Sequence, residues 1–269
     1  MRIFLILSVT IASLLSGCHR SDVFYSDDTK VIGHGGMGIT HDFPLNTFEA
    51  IAFALHKGTD GVEIDVQMTE DSVLIAYHHK MLEETMDEDG AIHNQIWKKI
   101  RNAEYSELLY SEYGLVSLDD IFRNLVEFKD KRYFFDLKMF SPDTSDLYYA
   151  KFTRQVFQII DGYGLEHVTL EVKNLRLAKY IQEIRPNQSI FIYQDFDTAL
   201  DLCIENDFQG ITIDIDQISL AHVELAHVNG IKVACINTHS KDRNDMAFKI
   251  GVDYNQTDMV NYVMRQKRR

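Results

Sequence analysis

The feature that most constrains the fold is a regular alternation of short apolar runs with amphipathic segments, which begins at Lys30 and continues to Asn255. The apolar runs are mostly continuous, as in strands that are buried on both faces, and the segments between them have helical spacing. Strands that alternate with helices favour a parallel sheet covered by helices. The nine runs are residues 30–34, 62–67, 73–78, 132–138, 167–172, 189–194, 210–215, 232–237 and 252–255.

One of the nine runs cannot belong to a parallel sheet. The link between Gln67 and Val73 is about five residues long, whereas a parallel crossover needs roughly a dozen or more. Residues 73–78 are therefore expected to turn back at residues 69–72 and to pair antiparallel with the preceding run. Eight βα units remain, so we predict a (β/α)8 TIM barrel with a β-hairpin excursion after the second strand. An open doubly wound sheet is the alternative, but the chain lacks the glycine fingerprint of dinucleotide-binding sheets.

Two carboxylates interrupt the second apolar run. Glu63 and Asp65 are two residues apart, so their side chains point to one face of the strand. A solvated edge strand is the simpler interpretation, but the barrel brings Asp136, at the end of the next barrel strand, to the same rim. Three converging carboxylates repel one another unless a cation lies between them, and oxygen ligands suit Mg²⁺ or Ca²⁺ better than zinc. We therefore predict that Glu63, Asp65 and Asp136 bind one divalent cation.

Two histidines and a lysine are expected beside this metal site. His34 ends the first strand, and the hairpin would bring His78 back over the carboxylates. Paired histidines are suited to general acid and base catalysis near neutral pH. Lys138, at the end of the third barrel strand, is placed to hold a phosphate oxygen. The metal, the histidine pair and the lysine together indicate cleavage of a phosphodiester.

The composition narrows the choice of partners. The 269 residues fit one barrel, and the net charge of −14 without a basic stripe argues against nucleic acid as a partner. Beyond the N-terminal segment the chain has two cysteines, Cys203 and Cys235, one in a predicted helix and one in a predicted strand. We expect both to be buried free thiols.

The N-terminal segment resembles the signal peptide of a bacterial lipoprotein. Residues 1–2 give a short positive start, residues 3–15 are an apolar run, and Leu15-Ser16-Gly17-Cys18 is similar to a lipobox. The resemblance implies cleavage before Cys18, lipidation of its sulfur and anchoring to a membrane of the bacterial cell envelope. An ordinary secretory signal with an incidental cysteine is the alternative. The predicted divisions are a signal peptide at 1–17, a tether at 18–29 and a single domain at 30–269.

The ordered motifs resemble those of the glycerophosphodiester phosphodiesterase family over nearly the whole mature chain. The family's opening His-Arg-Gly is similar to His34-Gly35-Gly36, its Pro-Glu-Asn-Thr to Pro44-Leu45-Asn46-Thr47, and its Glu-x-Asp-Val to Glu63-Ile64-Asp65-Val66. Its threonine-acid turn and His-Asp resemble Thr69-Glu70-Asp71 and His78-His79, its Glu-x-Lys resembles Asp136-Leu137-Lys138, and its closing Thr-Asp resembles Thr257-Asp258.

The resemblance implies a TIM barrel that cleaves small-molecule glycerophosphodiesters to glycerol 3-phosphate and an alcohol with a divalent metal. It implies that His34 and His78 are the acid/base pair. The metal would be bound by Glu63, Asp65 and Asp136, and the phosphate or substrate would be contacted by Lys138, Gly35 and Asn46.

Several positions depart from the family's pattern. The arginine after the first histidine is Gly35, which removes a bidentate phosphate contact, and the glutamate of the second motif is Leu45. The third metal ligand is Asp136, one methylene shorter than the usual glutamate. Because the acid/base and metal-binding residues remain while substrate-holding residues change, the pattern favours an active enzyme with a shifted substrate. His41 is one replacement for the arginine, although a solvated loop histidine is the simpler interpretation.

The leading hypothesis is a metal-dependent phosphodiester hydrolase in which His34 and His78 move protons. A lyase that forms a cyclic phosphate, similar to the sphingomyelinase D group and bacterial phosphatidylinositol phospholipases, is the first alternative. A catalytically silent, envelope-anchored lipoprotein that binds phosphate esters is the second, and the glycine at position 35 motivates it.

Overall fold

Eight parallel strands form a closed barrel. The computed structural model describes residues 23–39 and 43–268. The strands in chain order are β1 (Lys30–Gly33), β2 (Gly61–Met68), β3 (Leu74–Ala76), β4 (Val116–Ser117), β5 (Arg132–Leu137), β6 (His167–Val172), β7 (Ser189–Tyr193), β8 (Gly210–Asp214), β9 (Lys232–Thr238) and β10 (Tyr254–Thr257), and the barrel consists of all but β3 and β4. Strand β1 pairs in parallel with both β10 and β2, which closes the sheet. The TIM-barrel prediction is confirmed, and the open sheet is excluded.

The helices cover the barrel strands on the outside, with one exception, the second helix, which lies between β3 and β4. They are α1 (Phe48–His56), α2 (Trp97–Ile100), α3 (Leu118–Asn124), α4 (Asp146–Gly162), α5 (Leu175–Ile184), α6 (Phe196–Asn206), α7 (Leu220–Val228), α8 (Lys241–Ile250) and α9 (Val260–Lys267). The first of them begins after Thr47, whose side chain accepts a hydrogen bond from the Ala50 amide. Such capping satisfies an N–H that the helix itself cannot pair. Because Thr47 is the cap, the side chain of Asn46 is available for another contact.

The predicted hairpin is present. Strand β3 pairs antiparallel with β2, with Val66 opposite Ala76 and Met68 opposite Leu74. Strand β3 also pairs antiparallel with β4, a two-residue strand that the sequence did not predict. Between them lies a segment that we call the 77–115 insertion. It has its own apolar cluster, which includes Tyr77, Leu82, Ile92 and Ile100 and packs on Ile75 of the hairpin.

The lower half of the barrel interior is filled by apolar side chains. Phe134 packs against Phe191 and Tyr254 with ring centroids 5.7 and 4.9 Å away. Gly210 lies against this layer, where a Cβ would come within 2.4 Å of the Phe191 ring. Two residues after Phe134 on the same strand face comes Asp136. The interior therefore changes from apolar to acidic toward the carboxyl ends of the strands, where it opens.

The start of the described chain packs on the domain. The Tyr25 ring lies 4.1 Å from that of Phe248, and its hydroxyl bonds to Asp245. Thr29 is buried and donates to the Val252 carbonyl. Tyr25 and Thr29, which fall in the predicted tether, therefore pack on the domain. The predicted signal peptide, Cys18 and His41 lie outside the described residues.

Within residues 23–39 and 43–268, none of the helices has the length and apolar character needed to cross a membrane.

Candidate metal centre and active site

Three carboxylates meet at the open end of the barrel. Glu63 and Asp65 lie on β2, and Asp136 lies on β5 directly opposite Asp65. The three residues are 2%, 1% and 7% exposed, which excludes the solvated edge strand. Each offers an oxygen atom within 4.8 Å of the other two. Three buried carboxylate oxygens at this spacing fit a hard divalent cation such as Mg²⁺ or Ca²⁺.

The carboxylate group carries more negative charge than its protein surroundings balance. Burial and the neighbouring Asp65 raise the pKa of Glu63 well above its ordinary value, and burial raises the pKa of Asp136. Lys138 is the nearest positive group, with its Nζ 2.7 Å from Asp65 and 2.5 Å from Asp136. Burial disfavours the ionised form of Asp65, but Lys138, His78 and His34 together outweigh burial and lower the pKa of Asp65. One ammonium among three carboxylates leaves a net negative site that favours a cation.

The loop after β1 orients two of the carboxylates. The Gly35 amide donates to Glu63 Oε2 over 2.9 Å. Asn46 Nδ2 donates to Asp65 Oδ2 over 2.7 Å, and Asn46 Oδ1 accepts from the Asp65 amide over 3.0 Å. The Asn46 amide was predicted to contact substrate, but both of its ends are engaged with Asp65 in the structure. This contact fixes the orientation of a candidate metal ligand.

His34 is held by a carboxylate from the far end of the chain. Its Nδ1 lies 2.7 Å from Asp258 Oδ1, and its Nε2 lies 3.9 Å from Glu63 Oε2. Burial disfavours the protonated ring, but the Asp258 hydrogen bond and the surrounding negative charges outweigh it and raise the pKa of His34 to about 10. Asp258 had no predicted role. The sequence feature that could have placed Asp258 near His34 is its position at the end of the eighth barrel strand, because this strand must neighbour the first when the barrel closes.

His78 lines the same cavity as His34. It follows β3, and the preceding amide of Tyr77 donates to the Asp65 carbonyl over 3.0 Å, so the hairpin fixes its position beside β2. Burial and the positive charge of Lys138 lower the pKa of His78, against the attraction of the Asp65 carboxylate. The structure therefore brings both predicted histidines to one cavity and shifts their pKa values in opposite directions.

The cavity has a volume of about 600 Å³ and is lined by residues of two kinds. His34, His78 and Asp258 are titratable. Leu45 of the β1 loop and Tyr105 of the 77–115 insertion are apolar or aromatic. The Tyr105 hydroxyl donates to the Leu45 carbonyl over 3.0 Å, which ties the two segments together.

A fourth carboxylate, Glu171, lies on the strand next to the candidate metal centre and was missed by the sequence reasoning. It is 2% exposed and lies opposite Asp136 on β6. It accepts hydrogen bonds from Thr212 and Gln256. Burial and the Asp136 charge raise its pKa to about 7. Its inward position on β6 follows from the strand alternation, but its burial depends on the barrel closing around it.

The chain is similar in sequence to known proteins. A sequence profile described as the glycerophosphoryl diester phosphodiesterase family matches residues 37–261. A glycerophosphodiester phosphodiesterase from Bacillus altitudinis is 33% identical over 90 residues, which are 34% of this chain and 36% of that protein. The chain thus spans little more than a third of the length of this curated relative.

Two solved structures have the same fold. A phosphodiesterase from Oleispira antarctica in complex with the product sn-glycerol-3-phosphate aligns with a TM-score of 0.78 at 15% identity, over 89% of this chain and 97% of the other. A glycerophosphodiester phosphodiesterase from Parabacteroides distasonis aligns with a TM-score of 0.75 at 20% identity, over 90% of this chain and 99% of the other.

Proposed function

From the fact that the chain belongs to the glycerophosphoryl diester phosphodiesterase family, we propose that it hydrolyses glycerophosphodiesters to glycerol 3-phosphate and an alcohol with a bound divalent cation. The observation that carries the proposal is a buried carboxylate trio beside two histidines, which line one cavity and have pKa shifts of opposite direction. Groups whose surroundings separate their pKa values in this way are suited to acid and base roles.

Glu63, Asp65 and Asp136 would hold the cation, which is Mg²⁺ or Ca²⁺ in this proposal. When bound there, it would neutralise charge that develops on the phosphoryl oxygens. Asn46 acts as a positioning residue, because its amide holds the Asp65 carboxylate. Lys138 contacts a second phosphate oxygen from its place between the carboxylates.

The two histidines move the protons. His34 is kept protonated by Asp258 at Nδ1, so its Nε2 donates a proton to the alcohol oxygen as the bond between phosphorus and that oxygen breaks. His78, with its lowered pKa, is neutral near pH 7 and accepts the proton of the attacking water. The water oxygen forms the new bond to phosphorus, which gives glycerol 3-phosphate and the free alcohol.

The test is turnover of a panel of glycerophosphodiesters by the full chain with Mg²⁺, with Ca²⁺ and with EDTA. We expect metal-dependent release of glycerol 3-phosphate, and a loss of about 10²–10⁴-fold in kcat for His34→Ala and for His78→Ala. His167→Ala is the matched control, since His167 is an exposed residue at the start of β6, at the opposite end of the barrel.

Phosphorus NMR of the products separates hydrolysis from the alternatives. Glycerol 3-phosphate without a cyclic phosphate supports the hydrolase. Accumulation of a cyclic phosphate would instead identify a lyase, in which a substrate hydroxyl replaces water as the attacking group. Full turnover by both histidine variants would exclude the proton transfers described here, and no turnover by the wild-type protein would favour a silent phosphate-ester-binding protein.

We also propose that Cys18 is lipidated and anchors the protein to a membrane of the bacterial cell envelope, because the lipobox-like Leu15-Ser16-Gly17-Cys18 directly follows an apolar run. The test is metabolic labelling with a radioactive fatty acid in a bacterial host. Label in the wild-type protein and none in Cys18→Ser is the expected result. Equal recovery of both proteins in the soluble fraction would exclude the anchor.

A further inference from the structure

Two lysines occupy equivalent positions on neighbouring barrel strands. Asp136 on β5 lies opposite Glu171 on β6. Lys138 and Lys173 each follow two residues later, one residue beyond the end of their strands. Since side chains two residues apart share a strand face, Lys138 and Lys173 both belong to the face that carries the two carboxylates. Adjacent strands are about 4.8 Å apart, so the lysines start from neighbouring points of the barrel rim.

Lys173 is held by the next strand along the rim. Val172 pairs with Ile192, so Lys173 lies beside Tyr193, the last residue of β7. The Lys173 ammonium lies 4.0 Å from the centre of the Tyr193 ring, a distance at which the ring face attracts a cation. The Lys173 carbonyl also accepts a hydrogen bond from Gln194 over 3.1 Å. The lysine is therefore directed across β7 while its charged end stays accessible.

The two lysine charges differ in how they are used. Lys138 is enclosed between Asp65 and Asp136. Among the described residues, Lys173 forms no ion pair with a carboxylate within 4.0 Å, and its visible partner is the neutral Tyr193 ring. The Lys173 charge is close enough to act on the Asp136 carboxyl, where it opposes in part the rise in pKa that burial causes. An exposed ammonium on the strand next to Asp136, with no such ion pair among the described residues, is available to an anionic ligand.

We propose that Lys173, positioned by Tyr193, is a second cationic contact for the phosphate of the substrate and supplies the positive charge that Gly35 does not. The inference rests on the proposed phosphodiesterase function and adds a residue to it. Lysine suits the position because a flexible ammonium serves as a point charge for phosphate and requires no fixed bidentate geometry. The Lys173 ammonium would approach the phosphate from the β6–β7 side of the rim, whereas residue 35 lies on the β1 side.

The kinetic test compares Lys173→Met, which keeps the stem and removes the charge, with Lys173→Arg, which keeps the charge. We expect Lys173→Met to raise KM about tenfold and to leave kcat within about twofold, because the contact is made in both the ground state and the transition state. Lys173→Arg should restore most of the affinity. Lys179→Met is the matched control, since Lys179 is exposed on α5.

A binding measurement gives a second readout. Calorimetric titration of sn-glycerol 3-phosphate into the full chain, with Mg²⁺ or Ca²⁺ present, should give a Kd about tenfold weaker for Lys173→Met than for wild type. An unchanged melting temperature of Lys173→Met would show that the variant is folded and that its loss of affinity does not come from unfolding. An unaltered KM and Kd in Lys173→Met, or a loss confined to kcat, would overturn the inference while wild-type turnover stands. Absence of wild-type turnover would instead refute the underlying function.

Discussion

Leu45 occupies the space into which a side chain at residue 35 would extend. A Cβ built on Gly35 would lie 2.8 Å from Leu45 Cδ2 and 2.9 Å from Leu45 Cβ. Gly35 also has a φ of 49°, which favours glycine. The two positions at which the chain departs most from the family's motifs are therefore in contact, and the absence of a side chain at one accommodates the apolar side chain at the other.

This contact predicts a coupled effect on stability. Gly35→Ala should lower the free energy of unfolding by about 1–3 kcal/mol, because it combines a left-handed backbone with overpacking against Leu45. The loss should be smaller in a Leu45→Ala background, where the Cδ2 contact is gone. Urea unfolding of the four proteins measures the coupling. Gly162→Ala, where a Cβ would meet nothing within 4 Å, is the control. An equal penalty in both backgrounds would contradict the packing argument.

The His34–Asp258 pair predicts how stability depends on pH. The pKa of His34 is raised to about 10 from its ordinary value near 6.5, so the native state retains a proton that the unfolded chain releases between these values. The stabilisation is complete below about pH 6.5 and declines as the pH rises toward 10. The pKa of Asp258 is lowered, so its contribution is present above about pH 4 and declines in more acidic solution.

Asp258→Asn in EDTA-treated protein should therefore be most destabilised, relative to wild type, between about pH 4 and pH 6.5. The difference in unfolding free energy should shrink progressively in alkaline buffers. Urea unfolding at about pH 5, 7 and 9 measures it. A difference that stays constant across this range would show that the pair does not hold a proton in the folded state.

The contact between Asn46 and Asp65 predicts a loss of metal affinity. Asn46→Gly tolerates the φ of 65° at this position but removes the amide that holds the carboxylate. We expect the affinity for Mg²⁺ or Ca²⁺ to fall about 10–100-fold, because the loss of a residue that hydrogen-bonds to a metal-binding side chain typically has an effect of this size. Calorimetric titration of the metal into EDTA-treated, dialysed protein measures it.

Ser72→Gly is the control for this prediction, because Ser72 also has a positive φ, of 70°, but lies in the hairpin turn away from the carboxylates. Equal metal affinity in Asn46→Gly and wild type would remove Asn46 from the site.

The two cysteines predict protection from thiol reagents. Cys203 and Cys235 are free, fully buried thiols, which confirms the expectation from the sequence. Burial raises the pKa of Cys203 to about 12 and also raises that of Cys235. In a Cys18→Ser background, both thiols should react with a disulfide reagent only as fast as the protein unfolds when it is in buffer. In urea, where the protein is unfolded, they should react at once. Rapid reaction in the native state would contradict the barrel packing around them.

The sequence predicted features that depend on periodicity within one strand. The spacing of Glu63 and Asp65 was sufficient to predict that both carboxylates lie on one strand face. The short link before Val73 was sufficient to predict the hairpin. Asp258 could not be assigned in this way, because its contact with His34 exists only when the last strand closes against the first. The family resemblance gave Asn46 a substrate contact, and the sequence reveals neither the positive φ of Asn46 nor its hydrogen bonds to Asp65.

The 77–115 insertion was the least predictable part of the domain. Its helical segments are short, and it is held by burial of Tyr77 and Leu82 in a cluster with the hairpin residue Ile75. Short helices have little stability of their own, so tertiary contacts decide their limits. Its side chains in the cavity, such as Tyr105, were not identified for the same reason.

Closure of β1 against β10 has a consequence for the order in which the pocket is built. His34 and its carboxylate partner Asp258 are separated by 224 positions in the chain. Ribosomes deliver residues from the N-terminus, so the histidine emerges early, but its partner is among the last residues made. The carboxylates of β2 and β5 can meet well before that. The nascent domain is therefore expected to assemble its candidate cation ligands first and to hold His34 in place only when the final strand docks. Under the proposed mechanism, that docking step is the point at which a folding chain becomes competent for proton transfer.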